Sequence, residues 1–421
     1  MFMRFWTGLE GVTDLNFARA RAQSCLAFQL GCRHEHRLFY PRAIARSDSP
    51  PVLSSLRSTL WRRLQNQTFL LLAATVCLVF AQLTWRESLR DIEACLNARA
   101  GQLYHLGLRA PVKRSTLSDA LAARDWRIFA QLAQHLVAQA RALYAHEPLA
   151  LDLKQTIYAL DASVIDLCLS VYPWAHFDAQ RSGVKIHTQL ELHSHLPAQM
   201  LVSLATFQDV VWLDQLCYEP GAFYLMDRAY VDWQRLYAIE QARAWFVVRA
   251  KKTLSYCRLH SQAIEAESGL RSDQIISLRA FYAAKNYPDK LRRVRFYDVK
   301  QERGLVFLTN HFGLPALTVA RLYQQRWQVE LFFRWLKQHL RIKAFYGRSA
   351  NAVRTQLWVA VIVYALVAIL KKRLRSEASL YELLQILSVS VFEKTPVAQL
   401  FQAIHSQNDN PFLSNQLELF E

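Results

Sequence analysis

The sequence predicts an α/β fold: a mixed sheet with covering helices, broken by a basic β insertion and preceded by a helical region. Three observations predict it. Between Thr156 and Arg249, short β-prone runs alternate with helical text, the pattern of a sheet flanked by helices. Between Lys251 and Arg303 the text changes to short β-like pieces of strongly basic composition. From Phe80 to His146, apolar residues recur at three and four positions, as on amphipathic helices.

The elements follow in order. Residues 1 to about 75 carry ten Arg, no Lys and four acids, with a Ser/Pro-rich patch from Ser47 to Ser58 and no sustained period, so no structure is assigned there. Helical spacing then runs along Leu89-Ile92-Leu96 and Trp126-Phe129-Leu132-Leu136. Between them, Lys113 to Ser118 offers a Ser or Thr to cap a new helix beside two cations. A small DNA-binding domain and a plain helical bundle both read this way. Strands are predicted at Thr156–Asp161, Val164–Val171, Lys185–His193, Phe223–Asp227 and Trp245–Arg249, with helical text around Val210–Leu216 and Tyr230–Ala242. In the third strand, Ile186, Thr188, Leu190 and Leu192 share one face and polar side chains the other. The insertion contributes Gln274–Tyr282 and Arg293–Asp298, followed by a strand at Leu305–Leu308 and a helix that Pro315 starts.

Composition restricts the function classes. The 421 residues are 52% hydrophobic, enough for two or three domains or one large core. A formal charge of +17 calls for a polyanionic partner, nucleic acid first and anionic membrane second. The charge is unevenly placed: Arg249 to Arg303 holds 13 bases against 6 acids, and Leu331 to Ser376 holds ten Lys or Arg and no acid. The apolar runs Phe69–Phe80 and Leu357–Leu370, 12 and 14 residues long, fall short of the roughly 20 that cross a bilayer and read as buried helices. The start, Met1 to Arg4, shows no secretory pattern, and seven scattered cysteines without a CxxC pair suit free thiols in a reducing cytoplasm. Cys25, Cys32, His34 and His36 are spaced too widely for a usual structural zinc site. With no GxxxxGK loop and no GxGxxG fingerprint, nucleotide-driven and dinucleotide redox chemistry lose support.

The chemistry concentrates in Tyr323-Gln-Gln-Arg326-Trp-Gln-Val-Glu330-Leu-Phe-Phe-Arg-Trp-Leu-Lys337. Polar residues at offsets 0, 3, 7 and 14 fall near 0°, −60°, −20° and −40° on one helix, at about 100° per residue. A phenol, two bases and a carboxylate thus share one narrow stripe on an apolar cylinder. Asp161 and Asp227 close predicted strands, and would converge with Glu330 if this helix packs across the sheet. Three carboxylates at one point repel, and normally signal divalent cations, with hard oxygen ligands favouring Mg²⁺ or Mn²⁺ over Zn²⁺. Two such ions about 4 Å apart can activate a water or a 3′-hydroxyl and stabilise a leaving oxygen. Against this, a lone Asp at a strand end is more often a turn or cap residue, and a helix Glu beside Arg is usually a surface pair. Spacing does not exclude Asp166, Asp178, Asp209 or Asp214 from the same role.

Tyr323, Arg326, Glu330 and Lys337 match the Y-(2)-R-(3)-E-(6)-K signature of DDE transposases of the insertion-sequence-four family of bacterial mobile elements. Asp227-Arg228-Ala229-Tyr230 resembles that family's second-aspartate motif, and Leu160-Asp161-Ala162-Ser163 its first-aspartate strand. The resemblance covers roughly Phe80 to Leu400. It implies a ribonuclease H-like core with a β-strand insertion, and divides the chain into an atypical segment 1–78, a helical DNA-binding region 79–150, a catalytic core 151–250 and 304–345, the insertion 251–303 and a C-terminal helical region 346–421. It implies that Asp161, Asp227 and Glu330 hold two Mg²⁺ ions, with Mn²⁺ as a substitute, and that Tyr323, Arg326 and Lys337 contact DNA phosphates. The implied reaction is nicking at terminal inverted repeats, hairpin formation and strand transfer into target DNA, by a homodimer on DNA, in the bacterial cytoplasm and at the nucleoid. An insertion aromatic would hold a flipped base, with Tyr256, Phe281, Tyr282, Tyr287, Phe296 and Tyr297 as candidates. The first 75 or so residues depart from the family's usual start, which predicts a shifted reading frame or altered start. Two other readings are a metal-dependent nuclease on the same core, and a basic DNA-binding protein without catalysis.

Overall fold

The computed structural model describes residues 71–145, 147, 153–178, 180–264, 269–299 and 302–393. The segment before residue 71, with Cys25, Cys32, His34 and His36, and the end of the C-terminal region lie outside them. The described residues fall into two compact units, one of 71–80, 88–120 and 386–393, the other within 81–87 and 121–385.

Helix α1 (Leu71–Leu83) is short and apolar. In the first unit, α2 (Leu89–Asn97) starts at Ser88, whose Oγ accepts from Asp91 N at 3.1 Å, and it buries Ile92 and Leu96 as the periodicity requires. A 3₁₀ turn (Ala100–Leu106) ends at Gly107, whose φ of 77° suits a residue without Cβ. Asn97 ties the following loop to α2 by accepting from Val112 N at 2.9 Å and donating to Val112 O at 2.8 Å. Helix α3 (Arg114–Ala123) begins where a cap was expected, but the cap is not Ser115, Thr116 or Ser118. The Glu93 carboxylate on α2 accepts from Arg114 N at 3.1 Å instead, so a long-range partner replaces a local one.

The second unit is built on a ten-stranded sheet, whose strands are β1 (Ile157–Leu167), β2 (His176–Asp178), β3 (Arg181–Glu191), β4 (Leu196–Leu204), β5 (Phe223–Met226), β6 (Trp245–Arg249), β7 (Tyr256–Gln262), β8 (Leu270–Leu278), β9 (Leu291–Asp298) and β10 (Arg303–Thr309). Their order is β2-β3-β1-β5-β6-β10-β9-β8-β7, with β4 also paired to β3. β5 runs parallel to β1 and to β6, and every other pairing is antiparallel. Phe223-Tyr-Leu-Met226 is buried throughout, as a central strand with both faces covered requires.

Two expectations change here. The runs before and after Asp161 are one strand, because β3 pairs with β1 without a break from Tyr158↔Glu191 to Leu167↔Ser182 and keeps Asp161-Ala-Ser163 extended. The alternation in β3 does not mark a half-exposed strand: His187, Thr188 and Gln189 are all buried, since β1 and β4 flank it and helices cover the sheet. β4, not foreseen, completes this hairpin. The insertion does not stand apart either, because β7, β8 and β9 continue the main sheet through β10 to β6. A short helix, α6 (Phe281–Asn286), lies between β8 and β9.

Helix α4 (Trp126–Tyr144) packs on β4 and is fastened by Arg141, which donates to Glu191 at 2.7 and 2.9 Å and to the Tyr158 hydroxyl at 3.3 Å. Tyr158 in turn donates to Glu219 at 2.7 Å. Helix α5 (Trp233–Gln241) follows β5, and α7 (Ala316–Gln324) and α8 (Trp327–His339) follow β10. α9 (Ala350–Leu374) and α10 (Leu380–Ser390) come next. The apolar run at Leu357 is part of this 25-residue α9, which is long enough to cross a bilayer. Length therefore does not decide the matter; burial does, because 89% of its most apolar window lies inside the protein, partly against α4. Gln356, in its buried face, accepts from Tyr346 N and donates to Arg341 O and Ala344 O, pinning the chain between α8 and α9.

One buried ion pair joins the outer sheet to the helices beyond it. Arg292 on β9 and Asp273 on β8 are 2% and 3% exposed and pair at 2.7 and 2.9 Å. The same guanidinium donates to the carbonyls of His311, Phe312 and Leu314, the turn that leads into α7. Removing one partner strands a buried charge, so Arg292→Met or Asp273→Asn is expected to cost about 3–5 kcal/mol. Urea unfolding followed by tryptophan fluorescence measures this, and Arg292→Met with Asp273→Leu should recover much of the loss.

Candidate active site

The sheet register brings the first two carboxylates together. Parallel pairing of β1 with β5 runs from Ile157↔Phe223 to Ala159↔Leu225, and two residues further along each chain stand Asp161 and Asp227. Asp161 lies inside β1 rather than at its end, but just past its last parallel partner. Asp227 leaves β5 in extended backbone and opens the 3₁₀ turn Arg228–Tyr230.

The helix across the sheet supplies the third. It is two helices, not one: α7 stops at Gln324 and α8 starts at Trp327. Through the junction the backbone stays right-handed and bonds i to i−3, with Arg326 N on Tyr323 O at 3.0 Å and Val329 N on Arg326 O at 3.2 Å. Such a turn advances about 120° per residue instead of about 100°, so the stripe is overwound but not dispersed. Tyr323 packs on Phe307, with ring centroids 4.6 Å apart, and donates its hydroxyl to Asp227 Oδ1 at 3.3 Å. Arg326 donates through Nη1 to Asp161 Oδ2 at 3.3 Å and through Nη2 to Glu330. Lys337 donates to the Val164 carbonyl of β1 at 2.9 Å. Five of the six residues singled out from the sequence, Asp161, Asp227, Tyr323, Arg326 and Glu330, are thus linked into one cluster over β1 and β5, while Lys337 reaches β1 three residues beyond Asp161.

The electrostatics are those of a crowded acidic site. Burial pushes the Asp161 carboxyl up to about 6; Arg326 opposes this, while Glu330 and Asp227 add to it. Burial raises the Tyr323 phenol to about 12, so it remains a donor at neutral pH, and burial lowers the Lys337 ammonium. Arg326 Nε is buried and, among the described residues, has no partner. Two buried hydroxyls nearby also lack one. Thr188 pairs across from Asp161 on β3, and Tyr230 is coupled by charge to Asp209, Asp161, Arg326 and Asp227. In the sequence, Tyr230 stands out only as the aromatic of the Asp227 motif, and Thr188 only as one residue of an alternating face.

Three of the four competing acids are paired with bases. Asp178 pairs with Arg181, Asp209 with Lys185 at 2.9 Å and Asp214 with Arg235 at 2.7 Å, while Asp166 is exposed on β1. Among the described residues, no three His, Cys, Asp or Glu side chains are arranged to hold one metal ion. Arg326 explains that spacing, because its guanidinium stands between Asp161 and Glu330 as their counter-cation. The donor set, Asp161 and Glu330 on either side of Arg326 with Asp227 held by Tyr323 beyond, is of hard carboxylate oxygens that fit a hard divalent cation by their chemistry.

The profile of the transposase DDE domain family matches residues 152–366, half of the chain. The chain belongs to this DDE transposase family. The matched segment contains Asp161, Asp227, Tyr323, Arg326, Glu330 and Lys337. A second family, a domain of unknown function, matches residues 65–109 and so overlaps the end of the atypical segment 1–78. A protein of Sinorhizobium fredii named as transposase y4zB is 30% identical over 289 residues, covering 68% of this chain and 79% of that one. A protein of Geobacillus stearothermophilus, named as the transposase of insertion sequence element IS5377, is 29% identical over 218 residues, 51% of this chain and 57% of its own length. One of Synechocystis, named for element IS4SA, is 21% identical over 241 residues, 56% of this chain and 67% of the relative. A solved piggyBac transposase synaptic complex with hairpin DNA aligns over 83% of this chain and 74% of that one, at 10% identity and a TM-score of 0.42, too weak a likeness to argue from.

A raised folded-state carboxyl favours the protonated form, so its contribution to stability is present below the unfolded value of 3.8 and is lost as pH rises through about 6. Asp161→Asn in this DDE-family chain mimics the protonated form. At pH 7.5, without metal, it should raise stability by on the order of 2–3 kcal/mol, and the gain should shrink as pH falls toward 4. Thermal melts of both proteins across that range give the difference.

Proposed function

We propose that this DDE-family protein is a cut-and-paste DNA transposase that cleaves at terminal inverted repeats and transfers 3′-hydroxyl ends into target DNA. The observation that carries the reading is the cluster in which Arg326 bridges Asp161 and Glu330 while Tyr323 holds Asp227, over the neighbouring strands β1 and β5. The strand order β4-β3-β1-β5-β6, with β1, β5 and β6 parallel and β3 and β4 antiparallel, supports a ribonuclease H-like core. Asp161, Asp227 and Glu330 would hold divalent ions, Mg²⁺ or Mn²⁺. When bound, such ions neutralise phosphate charge and make a water or 3′-hydroxyl more acidic for in-line attack.

The chain's own groups position the phosphodiester. Tyr323 holds Asp227 through a phenol that stays protonated, which fixes that carboxylate's orientation. Arg326, whose Nε has no partner among the described residues, offers a phosphate oxygen a charge-assisted bond. Lys337, tethered to Val164 O, adds positive charge further along the same stripe. The +17 charge supports duplex DNA as partner, and two synapsed ends imply a homodimer on DNA, working in the bacterial cytoplasm.

Exposure narrows the base-holding aromatic. Tyr287 is buried, and Tyr256, Phe296 and Tyr297 are partly covered, whereas Phe281 and Tyr282 on α6 are 74% and 77% exposed. Their rings meet edge to face, with centroids 5.4 Å apart, and Arg279 and Lys285 lie beside them in sequence. Phe281→Ala or Tyr282→Ala should lower cleavage about tenfold or more while leaving gel-shift affinity within a few-fold, because stacking acts on one unstacked base.

The direct test incubates the full chain with Mg²⁺, paired repeat ends taken from the DNA flanking the gene, and a supercoiled target. Asp161→Asn, Asp227→Asn and Glu330→Gln should each reduce cleavage at least 10³-fold and retain DNA binding. Unchanged cleavage in all three would remove the site assignment. Cleavage by the wild type without joined products would leave a nuclease.

A further inference from the structure

The cation between Asp161 and Glu330 comes from the chain itself, and its surroundings suggest more than passive neutralisation. Arg326 stands 3.3 Å from Asp161 and is bonded to Glu330 one helical turn on, yet its buried Nε has no partner among the described residues. Its hydrogen-bonding capacity is thus divided between two carboxylates and left incomplete. We propose that Arg326 is a built-in counter-cation that competes with divalent metal for the carboxylates and is drawn off them by an arriving DNA phosphate, so that metal loading and DNA binding are coupled through one side chain. The inference rests on the assignment of Asp161, Asp227 and Glu330 as metal ligands.

The physical argument has three steps. Carboxylates crowded in a partly buried site need a cation, and a divalent ion and the guanidinium satisfy the same need. Both cannot stand between Asp161 and Glu330, so metal must displace Arg326 or bind elsewhere. A phosphate presents the planar guanidinium with two acceptor oxygens in fork geometry, which the present arrangement, split over two carboxylates, does not. Once Arg326 turns to phosphate, the carboxylates regain the negative charge that attracts metal. Coupling of this kind is reciprocal, so phosphate tightens metal and metal tightens phosphate by the same factor.

The location suits the role. Arg326 sits in the tight turn between α7 and α8, so a change of its side-chain angles re-aims the guanidinium without moving either helix. Tyr323, whose ring centroid lies 5.8 Å from the guanidinium carbon, flanks it on the Asp227 side. Metal-free protein is thereby kept electrically quiet until DNA is in place, which limits cleavage of the wrong bond.

Mn²⁺ titration of the DNA-free full chain, read by electron paramagnetic resonance of the free ion, tests this apart from activity. Arg326→Ala should bind Mn²⁺ about tenfold more tightly than wild type, and Arg326→Gln, similar in bulk and without charge, carries the same expectation should the alanine variant lose its circular dichroism. A 20-base-pair duplex of arbitrary sequence at low salt should tighten Mn²⁺ binding to wild type several-fold and leave Arg326→Ala unchanged. Affinity in both Arg326 variants equal to or below wild type, with Asp161→Asn and Glu330→Gln still weakening it, would overturn the competition alone. Mn²⁺ binding indifferent to Asp161→Asn and Glu330→Gln would overturn the ligand assignment itself.

Discussion

Three carboxylates brought close together over neighbouring strands cannot all stay ionised without a positive charge among them, and most of the site's construction follows from that constraint. Here the charge is the Arg326 guanidinium, held between Asp161 and Glu330. The arrangement is only partly satisfied. Asp161 remains shifted upward by burial in spite of its partner, and the buried polar atoms Arg326 Nε, Thr188 Oγ1 and the Tyr230 hydroxyl have no partner among the described residues. Buried polar groups without partners cost stability.

Rigid supports on both sides carry that cost. On one side, Arg141, Glu191, Tyr158 and Glu219 lock α4 to the strands that bear Asp161. On the other, the buried Arg292–Asp273 pair grips the turn from which α7 rises toward Tyr323. The basic β insertion thus has a structural task in addition to its charge, because β9 fixes where the Tyr323 helix begins. Between these anchors the parallel β1–β5 register leaves Asp161 and Asp227 side by side, where α7 and α8 bring the remaining polar groups.

Much of the site was legible because its spacing is local. Offsets of three, four and seven between Tyr323, Arg326, Glu330 and Lys337 are set within two turns of helix on either side, and a single overwound turn does not scatter them. Asp227 was legible because a fully apolar four-residue strand ends immediately before it. What was not legible depends on partners distant in sequence. Asp161-Ala-Ser163 reads locally as a strand end, yet antiparallel pairing with β3 holds it extended. The cap of α3 comes from Glu93 on another helix, and the second buried face of β3 comes from layers that no alternation pattern records. α9 shows the same limit: its apolar centre understated its length, and its burial depends on α4. The exposure that sets Phe281 and Tyr282 apart from the other insertion aromatics is likewise a property of the folded sheet.

The central claim, that Asp161, Asp227 and Glu330 form one metal site in which Arg326 now bridges Asp161 and Glu330, is tested most directly by anomalous diffraction from crystals of the full chain soaked in MnCl₂ with a short DNA duplex. The account predicts anomalous density between these three carboxylates, with the Arg326 guanidinium turned from Asp161 onto a phosphate. Manganese bound elsewhere, with Arg326 still bridging Asp161 and Glu330 beside bound DNA, would contradict it.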